Sequence, residues 1–247
     1  MARLVIDIGN TLVKLAVFNG PVLIEANHYS EVDDDLLTQL INQHQIDKAI
    51  VSSVKKEPEA WLSQLEKLIP LTRFERSMAG GINNHYRTPQ TLGLDRLAAV
   101  IGARHLYPQS NNLVIDAGTC ITYDGIDASA NYYGGSISPG INMRYKALQH
   151  YTAALPLVTA DAHFSSYYGD DTTTAIRSGV QNGVLYEVEG FIQQYIQQGI
   201  HPNIILTGGD SVFLDTVLKN SIFAGYIKTE PHLVLIGLNA AIQEHND

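Results

Sequence analysis

Two short segments carry the residue types needed to hold a triphosphate. The first is Asp7-Ile8-Gly9-Asn10-Thr11-Leu12-Val13-Lys14. A tight turn at the end of a strand exposes consecutive backbone N–H groups, and Gly9 lets an anion come close to them. Asn10 and Thr11 add side-chain donors, and Lys14 can reach back from a following strand. Asp7 would repel phosphate unless a magnesium ion, bound through water, lies between them. An ordinary hairpin whose Asn and Thr serve the turn is the competing explanation. The second segment, Asp116-Ala117-Gly118-Thr119, repeats the strand, carboxylate, glycine and threonine in the same order. Two opposed turns of this kind can grip a nucleotide from both sides. The chain has neither a P-loop signature nor a dinucleotide fingerprint, so the phosphate grip falls to this pair.

Acceptor chemistry points to Gly93-Leu94-Asp95-Arg96, directly before a helical apolar pattern. An acid in the first turn of a helix is favoured by the helix dipole, so Asp95 has a structural explanation. Arg96 is unfavourable there and invites an explanation based on a ligand. A carboxylate beside a guanidinium can orient an alcohol while holding an anionic substrate. Two further segments are weak signals individually. Gly134–Gly140 reads as a long glycine-rich turn that lines a pocket or merely turns a corner. Thr207-Gly208-Gly209-Asp210, after an apolar strand, suits the close approach of a flat adenosine group. The nine histidines have no metal-ligand spacing, and no paired-cysteine or nucleophile-elbow pattern occurs, which removes zinc chemistry and serine hydrolysis.

These segments need a frame that puts turns at strand ends. Arg3–Ile8, Leu12–Phe18 and Pro21–Tyr29 read as a strand meander with a hairpin signal at Asn19-Gly20. Asp33-Asp34-Asp35 opens a helix with Leu36, Leu37, Leu40 and Ile41 on one face. Lys48–Val54 is a buried strand, and the helix starting near Pro58 carries Trp61, Leu65 and Leu68. Alternating strands and helices indicate an α/β fold. The return of Leu4–Thr11 as Leu113–Thr119 argues for duplication, with a boundary near residue 112. Later, Asp170–Thr174 caps a long helix whose stripe is Ile176, Val180, Val184, Val188 and Phe191 or Ile192. Gly179 and Gly183 beside that stripe suggest that another element or a neighbouring subunit packs very close, since each glycine costs about 1 kcal/mol in a helix interior. Asn203–Leu206 is a strand, and the last helix covers roughly Ile236–Glu244.

Bulk properties narrow the partners. The 247 residues are 45% hydrophobic, enough for two modest cores, and the net charge of −9 argues against nucleic acid. A single cysteine, Cys120, forbids an intramolecular disulfide and fits a cytoplasmic setting. No apolar run approaches the roughly 18 residues of a membrane helix, and the N-terminus leaves no room for a signal segment.

Taken in order, Asp7–Lys14, Tyr86, Gly93–Arg96, Asp116–Thr119, Gly134–Gly140, Leu155-Pro156 and Thr207–Asp210 resemble the type III pantothenate kinases. That family falls in the superfamily of acetate and sugar kinases, Hsp70 and actin. The resemblance implies an α/β, duplicated ribonuclease-H-like fold of the actin-like ATPase kind, with lobes at 1–112 and 113–247 around a nucleotide cleft. It implies transfer of phosphate from ATP to pantothenate, the first step towards coenzyme A, with Asp95 as proton acceptor. Tyr86, Gly93, Leu94, Asp95, Arg96 and Thr172 would contact pantothenate, the run Thr172–Thr174 leaving the last position open by one or two. ATP would meet Asp7, Gly9, Asn10, Thr11, Lys14, Gly118, Thr119, Gly208 and Gly209. Asp116 would coordinate a monovalent cation, K+ or NH4+, and Asp7 would hold Mg2+ through water. A homodimer is also implied. Rival readings are a kinase or phosphohydrolase of the same superfamily acting on another small substrate, and a non-enzymatic regulator.

Overall fold

The computed structural model describes residues 2–55, 59–197 and 201–244; the expected start of the second helix at Pro58 lies outside them. The chain forms two compact units, both discontinuous in sequence: Met1–Gln109, Ala128–Tyr133 and His232–Asp247 in one, Ser110–Asp127 and Gly134–Pro231 in the other.

In the first unit, β1 (Ala2–Ile8), β2 (Val13–Asn19), β3 (Val22–Tyr29), β4 (Ile46–Ser53) and β5 (Leu71–Arg73) form one sheet in the order β3-β2-β1-β4-β5. β1 runs antiparallel to β2 and parallel to β4. Side chains alternate between faces along a strand. Leu4, Ile6 and Ile8 therefore enter a core shared with α1 (Asp34–His44) and α2 (Ala60–Leu68). Asp33 caps α1, its carboxylate accepting the Leu36 N–H at 2.8 Å, so the acidic triplet serves the helix start. On α2 the buried stripe is Trp61, Leu62 and Leu65. Leu68, expected in it, is 51% exposed, because Ile69 just beyond the helix fills that side of the core.

The other face of this sheet meets α3 (Leu94–Leu106) and α8 (Leu233–Glu244), which pack against each other and against β1 and β4. α3 is buried continuously from Arg96 to Ala103. Its approach to α8 is so close that a Cβ at Gly237 would stand 1.8 Å from the Ala98 carbonyl oxygen. α8 begins three residues before the expected Ile236. The short β6 (Asn83–Asn84) pairs with Asn131 and Tyr132.

The second unit has β7 (Asn112–Ala117), β8 (Cys120–Ile126), β9 (Asn131–Pro139, entering from the first unit), β10 (Asn203–Thr207) and β11 (Ile227–Thr229), in the order β11-β10-β7-β8-β9. β7 is antiparallel to β8 and parallel to β10, and β10 is parallel to β11. Strand order and these directions repeat those of the first sheet. Its helices are α4 (Ile141–Tyr151), α5 (Thr172–Arg177), α6 (Gly183–Gln197) and α7 (Ser211–Leu218).

Two expectations change here. Gly134–Gly140 is not a turn: residues up to Pro139 belong to β9. Gly135 serves close approach, since a Cβ there would lie 1.7 Å from the Tyr123 carbonyl oxygen, and Gly134 has φ +104°. The long helix is not uniformly α. A π-helical segment, Ser178–Asn182, separates α5 from α6 and aims Gln181 and Asn182 at one loop. Gln181 donates to the Asp161 carbonyl at 2.9 Å and accepts its N–H at 3.0 Å, and Asn182 donates to the Ser166 carbonyl at 2.9 Å. The buried stripe resolves to Ile192 rather than Phe191. Among the described residues, no helix is long and apolar enough to cross a membrane.

Candidate active site

Strand register builds the first cluster. Asp7 on β1 stands opposite Lys14 on β2 and Ser52 on β4, and Lys14 stands opposite His28 on β3. Side chains at paired positions share a sheet face, so His28, Lys14, Asp7 and Ser52 form a polar row across four strands. It lies on the α3/α8 side, since the opposite face takes Ile6 and Ile8. Asp7 is 4% exposed, and Lys14 Nζ pairs with its Oδ2 at 3.3 Å. Burial pushes the Asp7 carboxyl above the usual carboxylate range; Lys14 works against this, and the negative charge of Asp95 adds to it. Desolvation, with Lys14 and His232 nearby, holds the His28 imidazole below its ordinary value.

Just beyond, the Gly9 N–H donates to the Leu12 carbonyl at 3.1 Å and closes the turn. Asn10 and Thr11 are exposed, and neither side chain bonds to the described residues, so the turn does not consume their donors. The acceptor motif sits at the start of α3. Gly93 precedes the helix without a capping side chain, and the Asp95 carboxylate folds back so that its Oδ1 accepts the Arg96 N–H at 2.9 Å. A Cβ at Gly93 would fall 2.4 Å from that oxygen, so glycine is what leaves room for the carboxylate. Leu94 is half-buried as the first residue of α3. Arg96 is buried, 6% exposed, and its guanidinium lies over the Tyr86 ring at 5.8 Å from the centroid, within cation–π range.

In the second unit, the turn after β7 and the loop after β10 meet. The Gly118 N–H donates to the Cys120 carbonyl at 2.9 Å, and the Asp210 N–H donates to the Ala117 carbonyl at 2.8 Å. Gly208 has φ +88°, a backbone region that side chains disfavour. An added Cβ there would also lie 2.4 Å from Asp116 Oδ1. Gly140, at the end of the β9 segment, donates its N–H to the Thr119 carbonyl at 3.1 Å, so two glycine-bearing segments converge on the Asp116–Thr119 turn. Burial raises the Asp210 carboxyl above its usual range. Thr119 and Thr172 are exposed. At α5, Asp171 caps the helix and Thr174 completes the capping box, its hydroxyl accepting the Asp171 N–H at 3.1 Å. Thr174 is thus engaged locally, whereas Thr172 is not.

Among the described residues no group of three His, Cys, Asp or Glu side chains could hold a metal directly. Neither Asp7 nor Asp116 belongs to such a group. The fit of magnesium to Asp7 rests on its Oδ1, which is buried and makes no hydrogen bond. A single carboxylate with one open oxygen suits an ion that keeps most of its water shell. Sequence reading missed the contributions of His28 and Ser52 to this row. Counting outward from the Asn19-Gly20 hairpin would have set Asn27 opposite Lys14, because a register shift at Val17/Phe18 is what brings His28 there.

A mixed sheet whose leading strand ends in a carboxylate and a glycine-bearing turn occurs twice, with five strands in the first sheet and six, counting β6, in the second, and defines the class: an α/β fold of the acetate and sugar kinase, Hsp70 and actin kind. Solved structures agree. A Campylobacter jejuni protein assigned to the Baf family of transcriptional activators matches with TM-score 0.64 and 20% identity over 98% of both chains. The activator of the 2-hydroxyisocaproyl-CoA dehydratase from Clostridium difficile, with bound ADPNP, matches with TM-score 0.57 and 12% identity over 100% and 97%. At such identities the likeness speaks for fold alone. Sequence is more specific. The type III pantothenate kinase family model matches residues 3–194. The type III pantothenate kinase of Bacteroides fragilis (strain YCH46) is 43% identical over 99% of this chain and 98% of its own. That of Flavobacterium johnsoniae is 45% identical over 90% and 91%. The chain belongs to the type III pantothenate kinase family.

Proposed function

We propose that this protein phosphorylates pantothenate with ATP, and that Asp95 receives the proton of the attacking alcohol. The observation that carries the reading is the first-unit cluster: a turn whose Asn10 and Thr11 side chains are unspent, a buried carboxylate paired with Lys14, and Asp95 close enough for its charge to act on Asp7. Phosphoryl transfer through a loose transition state needs positioning and charge neutralisation more than covalent help. The turns at Gly9 and Gly118 are each closed by their own backbone hydrogen bond, so the donors left for the triphosphate are the side chains of Asn10, Thr11 and Lys14 on the first turn and Thr119 on the second. Gly208 and Gly209 give the adenosine room to lie against backbone. Magnesium, when bound at Asp7 through water, offsets charge on the phosphates. Asp116 would hold a monovalent cation, potassium or ammonium, whose charge would help offset that of the nucleotide. Arg96, braced over Tyr86, takes the carboxylate of pantothenate, with Gly93, Leu94 and Thr172 completing its surroundings. Asp95 orients the primary alcohol. Its oxygen forms the new bond to the γ-phosphorus as the bond to the bridging oxygen of ADP breaks, and its proton passes to Asp95.

We also propose a homodimer. A Cβ at Gly179, Gly183 or Gly190 would meet nothing within 4 Å among the described residues, so none of the described elements explains those glycines.

A coupled ADP-release assay with pantothenate, with and without potassium, tests the reading. Turnover is expected with pantothenate, stimulation by potassium is expected to vanish in Asp116→Ala, and Asp95→Asn is expected to lose turnover while still binding ATP. Ready phosphorylation of sugars with none of pantothenate would refute the substrate and keep the fold.

A further inference from the structure

The polar row contains a member that the proposed mechanism does not use. Ser52 is 1% exposed, and its Oγ makes no hydrogen bond. Its register partner Asp7 also has a buried oxygen, Oδ1, without a partner. The two atoms belong to adjacent strands on one sheet face and are not bonded to each other. Buried polar groups are nearly always satisfied, and an orphan costs roughly 1–3 kcal/mol. Two orphans side by side, next to a turn with unspent donors, are better explained by a shared guest than by two independent defects.

Chemistry narrows the guest. A carboxylate oxygen only accepts, whereas a hydroxyl both donates and accepts. A water molecule can donate to both at once, and one polarised by a divalent cation donates more strongly. Lys14 is already committed to Asp7 Oδ2, so Oδ1 is the oxygen left without a partner, on the strand position paired with Ser52.

We infer that Ser52 is a positioning residue of the divalent-cation site, its hydroxyl and Asp7 Oδ1 jointly holding a water of the ion's shell. The inference rests on the reading that Asp7 serves magnesium through water. Outer-shell partners of this kind typically change metal affinity about 10- to 100-fold when removed. A serine that merely fills strand space would leave affinity unchanged on truncation.

The test uses Mn2+ as the probe, titrated into wild type, Ser52→Ala and Asp7→Asn with a saturating non-hydrolysable ATP analogue, the free ion being read by electron paramagnetic resonance. Thermal melts without metal check folding; losing an unbonded buried hydroxyl should leave the melting temperature equal or higher. The expected result is Mn2+ affinity about 10-fold weaker in Ser52→Ala and weaker still in Asp7→Asn. Wild-type affinity in Ser52→Ala beside a loss in Asp7→Asn overturns the role of Ser52 and leaves the Asp7 reading intact. Wild-type affinity in both variants overturns the Asp7 reading and the inference with it.

Discussion

Replacing Gly237 by alanine should damage both the fold and the chemistry, by amounts that the helix contact sets. The new Cβ would lie 1.8 Å from the Ala98 carbonyl oxygen, 2.7 Å from its carbon and 2.9 Å from the Gly102 nitrogen. All three are backbone atoms, so no side chain can swing aside. Reaching an ordinary contact near 3.4 Å requires α3 and α8 to part by about 1.6 Å. The residues along the seam, among them Leu97, Ala98, Ala103 and Leu238, are fully buried, and a gap of this size forfeits much of their dispersion energy. Alanine gains about 1 kcal/mol of helix propensity over glycine, against overpacking of about 3 kcal/mol or more. The net loss is about 2–3 kcal/mol, or roughly 4–12 °C in Tm for a chain of this length. Gly102 lies two turns from Asp95 on the same helix, so the displacement carries to the acceptor motif, where about 1 Å costs on the order of 100-fold in kcat. Thermal denaturation and steady-state ADP release measure the two effects. An unchanged or higher Tm would refute the contact. A lower Tm with kcat intact would refute the claim that α3 packing positions Asp95.

Asp7→Asn should raise Tm at pH 7 while abolishing turnover. Burial lifts the folded-state carboxyl above its unfolded value of 3.8, so the ionised form costs stability once pH rises above that value. The gain should be about 0.5–2 kcal/mol at pH 7 and should shrink towards pH 4. A less stable variant at pH 7 would mean that the Lys14 pair outweighs burial. Gly183→Ala separates the dimer from a monomer: with nothing in this chain near the new Cβ, a monomer should gain about 1 kcal/mol, whereas a packed dimer should dissociate more readily in sedimentation.

Local chemistry was readable wherever a motif and its structural setting lie close in sequence. The hairpin at Asn19-Gly20, the Asp33 cap, the strands bearing Asp7 and Asp116 and the helix after Gly93 all follow from turn residues and periodicity a few positions away. What escaped depends on partners remote in the chain. Gly134 and Gly135 have the composition of a turn, and the need for glycine at Gly135 shows only in the proximity of the Tyr123 backbone, remote in sequence. Gly102 and Gly237 look like weak points of two separate helices until each is seen as the other's clearance. Ser52 is an unremarkable polar residue in an apolar strand, and only register sets it beside Asp7.

These positions share a pattern: each breaks a local rule. Gly102 and Gly237 weaken helices, Arg96 opposes the dipole of the turn it occupies, Asp7 is a carboxylate held where burial disfavours its charge, and Ser52 is a hydroxyl that bonds to nothing. The violations are not scattered. β1, β4, α3 and α8 pack together in the first unit, and the strained residues line that contact or its ends. Stability favours apolar residues at Asp7 and Ser52, so their polarity requires a ligand to compensate it. The α3–α8 glycines then have a mechanical purpose, since close packing fixes Asp95 relative to the row. Substitutions at Asp7 or Ser52 should therefore spare the fold and harm binding, whereas those at Gly102 or Gly237 should harm both. Parallel changes in stability and activity across all four positions would contradict that division.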